Sequence, residues 1–137
     1  MEINTDISNP KVLVVDDNLI NLKLVCAILR NHDIEYAIAE NGKIAYNLYL
    51  TGKFNLILMD IQMPIMNGLE CTQRIRNHEE KTQTESRIPI VAVTAFAMEH
   101  DKRNCFEAGV NEFIAKPFKS AHLLDRISQF IEIRAFA

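Results

Sequence analysis

The sequence predicts an α/β protein built on one parallel, five-stranded sheet with helices on both faces. Short apolar segments alternate five times with longer amphipathic segments, which is the order expected of repeated strand–helix units. Three of the apolar segments show no polar alternation, as is typical of strands that helices cover on both faces. Because the connections are short, right-handed crossovers and a doubly wound (βα)5 topology follow.

Five apolar segments are predicted as strands. The first, third and fourth are the most continuously apolar and belong at the centre of the sheet, whereas the second and fifth belong nearer its edges. The predicted strands are Lys11–Val15, Glu35–Ala39, Leu56–Met59, Ile90–Thr94 and Glu112–Ala115.

Five amphipathic segments that follow these strands are predicted as helices. Asn18, Asn41, Asn67 and Ser120 are placed as N-caps, and Gly109 stands where a glycine commonly ends a helix. The predicted helices are Leu19–Asn31, Lys43–Leu50, Gly68–Asn77, Glu99–Ala108 and Ser120–Ile133.

The length and the hydrophobic content of the chain fit one domain that has its own core. The chain has 137 residues, of which 48% are hydrophobic. The domain is predicted to cover residues 11–133, between a polar leader of residues 1–10 and a tail of residues 134–137. The one long polar segment, Asn77–Arg87, is predicted as a solvated loop with helical extension. A net charge of −3 without a dense run of like charges argues against a nucleic acid partner.

Cysteine usage and hydropathy favour a cytoplasmic protein. Cys26, Cys71 and Cys105 are widely spaced among apolar residues, as reduced core thiols usually are. The N-terminal MEINTDISNPK lacks the features of a signal peptide, and the longest apolar stretch is too short to cross a bilayer. The sequence therefore predicts a cytoplasmic protein without membrane insertion.

Polar side chains gather where the predicted strands end. The carboxyl ends of parallel strands form the crevice that binds ligands, so these side chains are expected at one edge of the sheet. Each residue taken singly can be a helix cap or a common strand or loop residue, but chance does not account well for the whole set. The residues are Asp16, Asp17, Glu40, Asp60, Thr94 and Lys116.

Three of these acids predict a magnesium site. Asp16, Asp17 and Asp60 would repel one another at close range unless a cation lay among them. Mg²⁺ prefers hard oxygen ligands and retains several waters, so Asp17 and Asp60 are predicted as direct ligands and Asp16 as a ligand through water. With the acids neutralised, an oxygen of Asp60 can attack phosphorus and form an acyl phosphate. Lys116 and Thr94 would then hold the phosphoryl oxygens.

Four motifs carry a resemblance to a known family: VVDDN, LILMDIQMPIMNG, VAVTAFA and FIAKPF. In this order and spacing they resemble the receiver domain of two-component response regulators, over residues 11 to about 133. The resemblance implies a flavodoxin-like fold and phosphorylation of Asp60 with Mg²⁺. It also implies that the Gln62 backbone carbonyl binds the metal and that the peptide bond between Lys116 and Pro117 is cis.

The resemblance further implies residues that control the signal. Phosphate would draw Thr94 toward Asp60 and let the Phe113 ring rotate inward as an aromatic switch. Since Phe113 lacks the hydroxyl of the tyrosine often found there, packing alone is expected to set the balance between its two positions. Gln62 and Phe96 would flank the water that hydrolyses the acyl phosphate. Because Phe96 cannot hydrogen-bond that water, slow self-dephosphorylation is expected.

Two other functions compete with this interpretation. Aspartate-dependent phosphatases resemble a DxDx[TV] pattern whose second aspartate acts as acid and base, but Gln62 holds that place here. A pseudo-receiver binds protein partners without being phosphorylated, and such domains usually lack a site residue, whereas none is missing here. The sequence therefore favours a phosphoacceptor signalling domain over an enzyme.

The expected phosphate donor is a histidine kinase or a histidine phosphotransfer protein, since the sequence has no ATP-binding segment. A downstream protein would read the signal from a monomer or weak dimer, either a free-standing regulator or the receiver of a hybrid sensor kinase.

The first predicted helix has two apolar rows, one of which consists of Ile20, Leu24 and Ile28. Burial of this row, and docking of a partner by its exposed part with Pro117 and Phe118, both remain open.

Overall fold

The structure, a computed structural model, describes residues 10–133 and alternates five strands with five helices. Every neighbouring strand pair is parallel, and the predicted α/β fold is confirmed. The predicted leader, apart from Pro10, and the predicted tail lie outside the described residues. The elements are β1 (Lys11–Val15), α1 (Leu19–Asn31), β2 (Glu35–Ala39), α2 (Gly42–Tyr49), β3 (Leu56–Asp60), α3 (Gly68–Lys81), β4 (Ile90–Thr94), α4 (Glu99–Ala108), β5 (Glu112–Ala115) and α5 (Ser120–Ile127). The sheet order is β2-β1-β3-β4-β5.

The central strands are buried on both faces, as their continuous apolar sequences predict. Every residue of β3 and β4 is buried, and the edge positions fall to β2 and β5. Alternate side chains of β1 enter opposite halves of the core: Val12 and Val14 join one hydrophobic cluster, and Leu13 and Val15 join the other. Because β3 pairs in parallel with both β1 and β4, the carboxyl ends of these three strands lie beside one another.

Three asparagines begin helices as predicted. The side chain of Asn18 accepts a hydrogen bond from the Asn21 amide at 3.0 Å, and those of Asn41 and Asn67 cap α2 and α3 in the same way at 2.9 Å. These caps satisfy amide groups that have no partner within the helix. Gly109 ends α4 at a φ of 116°, a left-handed conformation that glycine adopts without a steric penalty.

Two predictions about α5 are wrong. Its N-cap is Lys119, which makes no side-chain cap hydrogen bond, and Ser120 is the first helical residue. The helix ends at Ile127 and not at Ile133, because the chain tightens into a turn in which the Phe130 amide donates to the Ile127 carbonyl at 3.0 Å. Burial of Ile131 beyond this turn continues the apolar pattern that predicted a longer helix.

The C-terminal part of α3 is tied to the rest of the fold by a buried ion pair. Helix α3 extends to Lys81, four residues beyond the predicted Asn77, and the side chain of Glu79 is only 2% exposed within the segment predicted to be solvated. Arg76 donates to Glu79 at 2.8 Å and to the carbonyls of Ile88 and Gly109, each at 2.9 Å. This network joins α3 to the start of β4 and to the α4–β5 connection.

Candidate active site at the carboxyl edge of the sheet

Three carboxylates meet where the neighbouring strands β1 and β3 end. Asp60 is the last residue of β3 and is 5% exposed, Asp16 follows β1 and is 6% exposed, and Asp17 is exposed. One carboxylate oxygen of each lies within 4.8 Å of the others. Glu40, which follows the edge strand β2, is exposed and is not part of this cluster. The sheet order therefore brings together acids that lie more than forty positions apart in the sequence.

Lys116 bridges two of the acids. Its Nζ donates to Asp16 Oδ2 at 3.0 Å and to Asp60 Oδ1 at 3.2 Å. The other oxygen of Asp16 accepts a hydrogen bond from the Asn18 amide at 2.9 Å. Both Asp16 oxygens are therefore engaged, whereas the structure shows no hydrogen bond to the Asp17 carboxylate within residues 10–133. The peptide bond that joins Lys116 to Pro117 is cis.

The cluster carries an excess of negative charge, which favours the binding of a cation. Burial, and then the negative charge of Asp16, raise the pKa of Asp60 to about 6, although Lys116 partly opposes this rise. Burial disfavours the charged form of Lys116, but its hydrogen bond to Asp16 and the charge of Asp60 outweigh that effect and raise its pKa. One ammonium group therefore leaves negative charge in the cluster uncompensated.

The donor set fits Mg²⁺. All three acids offer hard carboxylate oxygens, and they border a cavity of about 190 Å³ that also reaches Gln62, Thr94 and Lys116. Burial and the charge of Asp16 raise the pKa of Asp60, and a cation held among the three acids would favour the charged form of this carboxylate. The residues of this edge could therefore hold a divalent cation beside a phosphoryl group.

Thr94 and Phe96, at and just beyond the carboxyl end of β4, also line the cavity. Thr94 ends β4 and is buried, and its Oγ1 accepts a hydrogen bond from the Phe96 amide at 3.1 Å. Phe96 is 54% exposed and lines the same cavity as Asp60. Phe96 therefore borders both the solvent and the cavity that contains the acids.

Phe113, the predicted aromatic switch, lies close to a cation. This residue of β5 is 8% exposed, and Lys102 Nζ on α4 lies 5.8 Å from the centroid of its ring. A cation over an aromatic face at this distance attracts the ring, and at exposed sites this attraction amounts to about 0.5–1 kcal/mol. In this position of the ring, Lys102 therefore adds an electrostatic attraction to the packing around Phe113.

Two polar residues at this edge were not predicted as part of the site. The Asn18 amide orients Asp16, and the Asn21 side chain lines the acidic cavity one turn into α1. A sequence signal was available for Asn21, since it is a polar residue in a strongly apolar helix directly after the acid pair.

Comparison with known proteins assigns the family. The family model of the response regulator receiver domain matches residues 12–128. The chain belongs to this family. Its relatives include hybrid signal transduction histidine kinase M of Dictyostelium discoideum, which is 37% identical over 122 residues, 88% of this chain and 5% of that protein. Sensor protein GacS of Pseudomonas syringae is 40% identical, and the match covers 83% of this chain and 12% of GacS. The chain thus spans only a small part of these relatives.

Solved receiver structures share the fold. The receiver domain of Ssk1 from Saccharomyces cerevisiae, solved with the histidine phosphotransfer protein Ypd1, is 34% identical with a TM-score of 0.85, and the match covers 89% of this chain and 88% of that one. The receiver of the Pseudomonas aeruginosa sensor kinase PA1611, solved with magnesium in its active site cleft, is 33% identical with a TM-score of 0.79 and coverages of 89% and 97%. The protein is a receiver domain of the kind found in phosphorelay systems. No helix within residues 10–133 is long and apolar enough to span a membrane.

Proposed function

We propose that this receiver accepts a phosphoryl group on Asp60 from a phosphohistidine protein, with Mg²⁺ held by Asp17, Asp60, the Gln62 backbone carbonyl and, through water, Asp16. The observation that carries the proposal is the meeting of three carboxylates and the Lys116 ammonium around one cavity. This arrangement costs folding free energy, as the raised pKa of Asp60 indicates, and a cation with a phosphoryl group would relieve the cost.

The proposed reaction is a displacement at phosphorus. An Asp60 carboxylate oxygen attacks, the bond between phosphorus and the donor's imidazole nitrogen breaks, and the imidazole retains the electron pair and takes up a proton from solvent. Bound Mg²⁺ would supply positive charge that neutralises the acids and the phosphoryl oxygens. Lys116 turns from Asp60 toward a phosphoryl oxygen, and the Thr94 hydroxyl donates to another.

An apolar surface on α1 supports a protein donor. Leu19, Ile20 and Leu24 are 62%, 76% and 48% exposed. Ile28, which belongs to the same apolar row as Ile20 and Leu24, is buried. Pro117 is also exposed, but Phe118 is partly buried against the core and contributes less than expected. Exposed apolar residues grouped on one helix mark a protein interaction site. By analogy with the complex of the Ssk1 receiver with Ypd1, the partner is a histidine phosphotransfer protein or a histidine kinase in the cytoplasm.

The signal is proposed to leave through the α4–β5 region. When Thr94 releases the Phe96 amide and binds a phosphoryl oxygen, the space beside Phe113 changes, and Lys102 transmits the position of that ring to α4. A downstream protein that contacts α4 and β5 would then distinguish the two forms. The chain acts as a signalling domain, and its only chemistry is its own phosphorylation and slow dephosphorylation.

The competing functions fit the site less well. In a phosphatase a second acid two residues beyond Asp60 would protonate the leaving group, and Gln62 cannot do so. A pseudo-receiver needs no acid cluster, yet the cluster is present with its lysine and threonine.

The test of the proposed function is to locate the phosphate. The chain is incubated with Mg²⁺ and either acetyl phosphate or phosphorylated Ypd1, reduced with borohydride to convert the acyl phosphate into a stable alcohol, and mapped by mass spectrometry. We expect a single modified residue, Asp60, and no label without the divalent cation. Modification at another residue, or metal-independent label, would contradict the proposal.

A second prediction concerns Phe96 and the lifetime of the acyl phosphate. Phe96→Glu is expected to speed the decay of the phosphorylated form by about tenfold, because the carboxylate replaces a ring that lines the cavity and can orient the attacking water. The measurement is the loss of phosphate after removal of the donor, in Mg²⁺. Phe106→Glu, at an exposed apolar residue of α4, is the control for the added charge. Equal decay for Phe96→Glu and wild type would exclude the proposed role.

A further inference from the structure

Asn21 is a partly buried polar residue in an otherwise apolar stretch of α1. Between positions 19 and 29 the only other polar side chain is that of Lys23, which is exposed. The backbone amide of Asn21 donates to the Asn18 side chain, whereas the side-chain amide of Asn21 has no hydrogen bond to any residue within 10–133. Polar groups that are partly removed from water normally have partners, so the surroundings of this side chain indicate what it binds.

Asn21 lines two cavities of different character. One is the acidic cavity of about 190 Å³, which Asp16, Asp17 and Asp60 also border. The other is smaller and is lined mostly by apolar side chains. Its polar residues besides Asn21 are Asp16 and Lys116, and both of these also line the acidic cavity. The polar groups that line either cavity beside Asn21 therefore all belong to the acidic one.

Hydrogen-bond acceptors without a partner are scarce in the acidic cavity. Mg²⁺ retains several waters when it binds a protein, and each metal-bound water is a strong donor with two hydrogens. Both oxygens of Asp16 and one oxygen of Asp60 already accept a hydrogen bond. The Thr94 hydroxyl and the Asn18 side-chain oxygen each accept one as well. The side-chain oxygen of Asn21 is therefore available for a metal-bound water.

Asn21 suits this role better than Gln62, the other residue of the cavity whose side-chain amide has no partner within the described part of the chain. Gln62 is exposed and lies in the loop after β3, so ordering its side chain costs more conformational entropy than ordering a partly buried one on a helix. Asparagine is also neutral. It adds an acceptor without adding negative charge beside Asp60, whose pKa burial and Asp16 already raise.

We propose that the side-chain oxygen of Asn21 accepts a hydrogen bond from a metal-bound water and thereby raises the affinity of this site for Mg²⁺. Asn21 is then a positioning residue, which acts on the metal through that water and not as a direct ligand. Groups that hydrogen-bond the ligands of a metal commonly contribute a factor of about ten to a hundred to its affinity. This inference rests on the proposed function, because it requires that the three acids bind Mg²⁺.

The experiment compares two substitutions at position 21. Asn21→Leu keeps a similar side-chain size but removes the acceptor, so we expect the dissociation constant of Mg²⁺, measured by isothermal titration calorimetry, to rise about tenfold. The Mg²⁺ concentration for half-maximal labelling by acetyl phosphate should rise by the same factor, and labelling should recover at saturating Mg²⁺. Asn21→Asp keeps an acceptor oxygen and should bind Mg²⁺ at least as tightly as wild type. Circular dichroism in EDTA checks that both variants are folded.

Asn47→Leu is the matched control. Asn47 is an exposed asparagine of α2 that does not line the acidic cavity, and its replacement should leave the affinity for Mg²⁺ unchanged. Equal dissociation constants for Asn21→Leu and wild type would overturn the inference. A loss of labelling that saturating Mg²⁺ does not restore would also overturn it, since Asn21 would then act on the phosphoryl group and not on the metal. If the wild-type chain binds no Mg²⁺, the proposed function fails and this inference fails with it.

Discussion

Asp60→Asn is expected to stabilise the protein by about 3 kcal/mol at pH 8 in the absence of divalent cations. Burial and the neighbouring Asp16 raise the pKa of Asp60 from 3.8 to about 6, a rise of about two units, and each unit corresponds to about 1.4 kcal/mol. The folded state therefore binds this proton more tightly than the unfolded state. The stabilisation of the folded state by this proton is complete below pH 3.8, and it is lost as the pH rises through 6. Asparagine remains neutral, so the variant avoids this loss.

The measurement is urea unfolding of both proteins in EDTA at pH 4 and at pH 8. The variant should exceed wild type at pH 8, and the difference should shrink toward pH 4. Added Mg²⁺ should stabilise wild type more than the variant, since Asp60 is a proposed ligand, and the variant should take no label from acetyl phosphate. Glu40→Gln, at an exposed strand-end acid outside the cluster, should show no comparable gain. Equal stability of Asp60→Asn and wild type at pH 8 would show that burial and Asp16 do not raise the pKa of Asp60 in the folded state.

Arg76→Met is expected to destabilise the protein by about 3–5 kcal/mol. The substitution leaves the Glu79 carboxylate, 2% exposed, without its charged partner, and a buried unpaired charge is among the most destabilising changes in a protein. It also removes the donor for the carbonyls of Ile88 and Gly109. Because these contacts join α3 to β4 and to the α4–β5 connection, the loss should reach the whole domain and not only the end of α3.

Chemical unfolding of three variants tests this prediction. Arg74→Met, on the same helix, breaks an exposed pair with Glu70 at 3.7 Å and should change the free energy of unfolding by less than about 1 kcal/mol. The double variant Arg76→Met with Glu79→Gln should recover part of the loss, since the buried charge is then absent. A loss below about 1 kcal/mol for Arg76→Met would mean that Glu79 is hydrated or neutral in the folded protein.

The sequence alone predicted the strands, which of them lie nearer the edges of the sheet, and most of the residues that the fold groups at the candidate site. Continuous apolar runs report burial on both faces, and a parallel sheet places all strand ends of one sense at one edge. Asp16, Asp17, Asp60 and Lys116 could therefore be grouped before any contact was known. Asn18, Asn41 and Asn67 were found as caps because a cap bonds to an amide three residues away, which is a local interaction.

The tertiary structure decided whatever depends on segments distant in sequence. Glu79 stands in a polar run that predicts solvent exposure, and only Arg76 with the Ile88 amide explains its burial. The contact of Lys102 with Phe113 needs the packing of α4 on β5, and the place of Asn21 between two cavities needs the packing of α1 on the sheet. Helix α5 ends early although the apolar pattern continues to Ile131, because a pattern reports which side chains are buried and not which backbone conformation buries them. Periodicity and local hydrogen bonds are encoded in short stretches of sequence, whereas buried charge, cavity lining and ring position depend on the distances that only the assembled fold establishes.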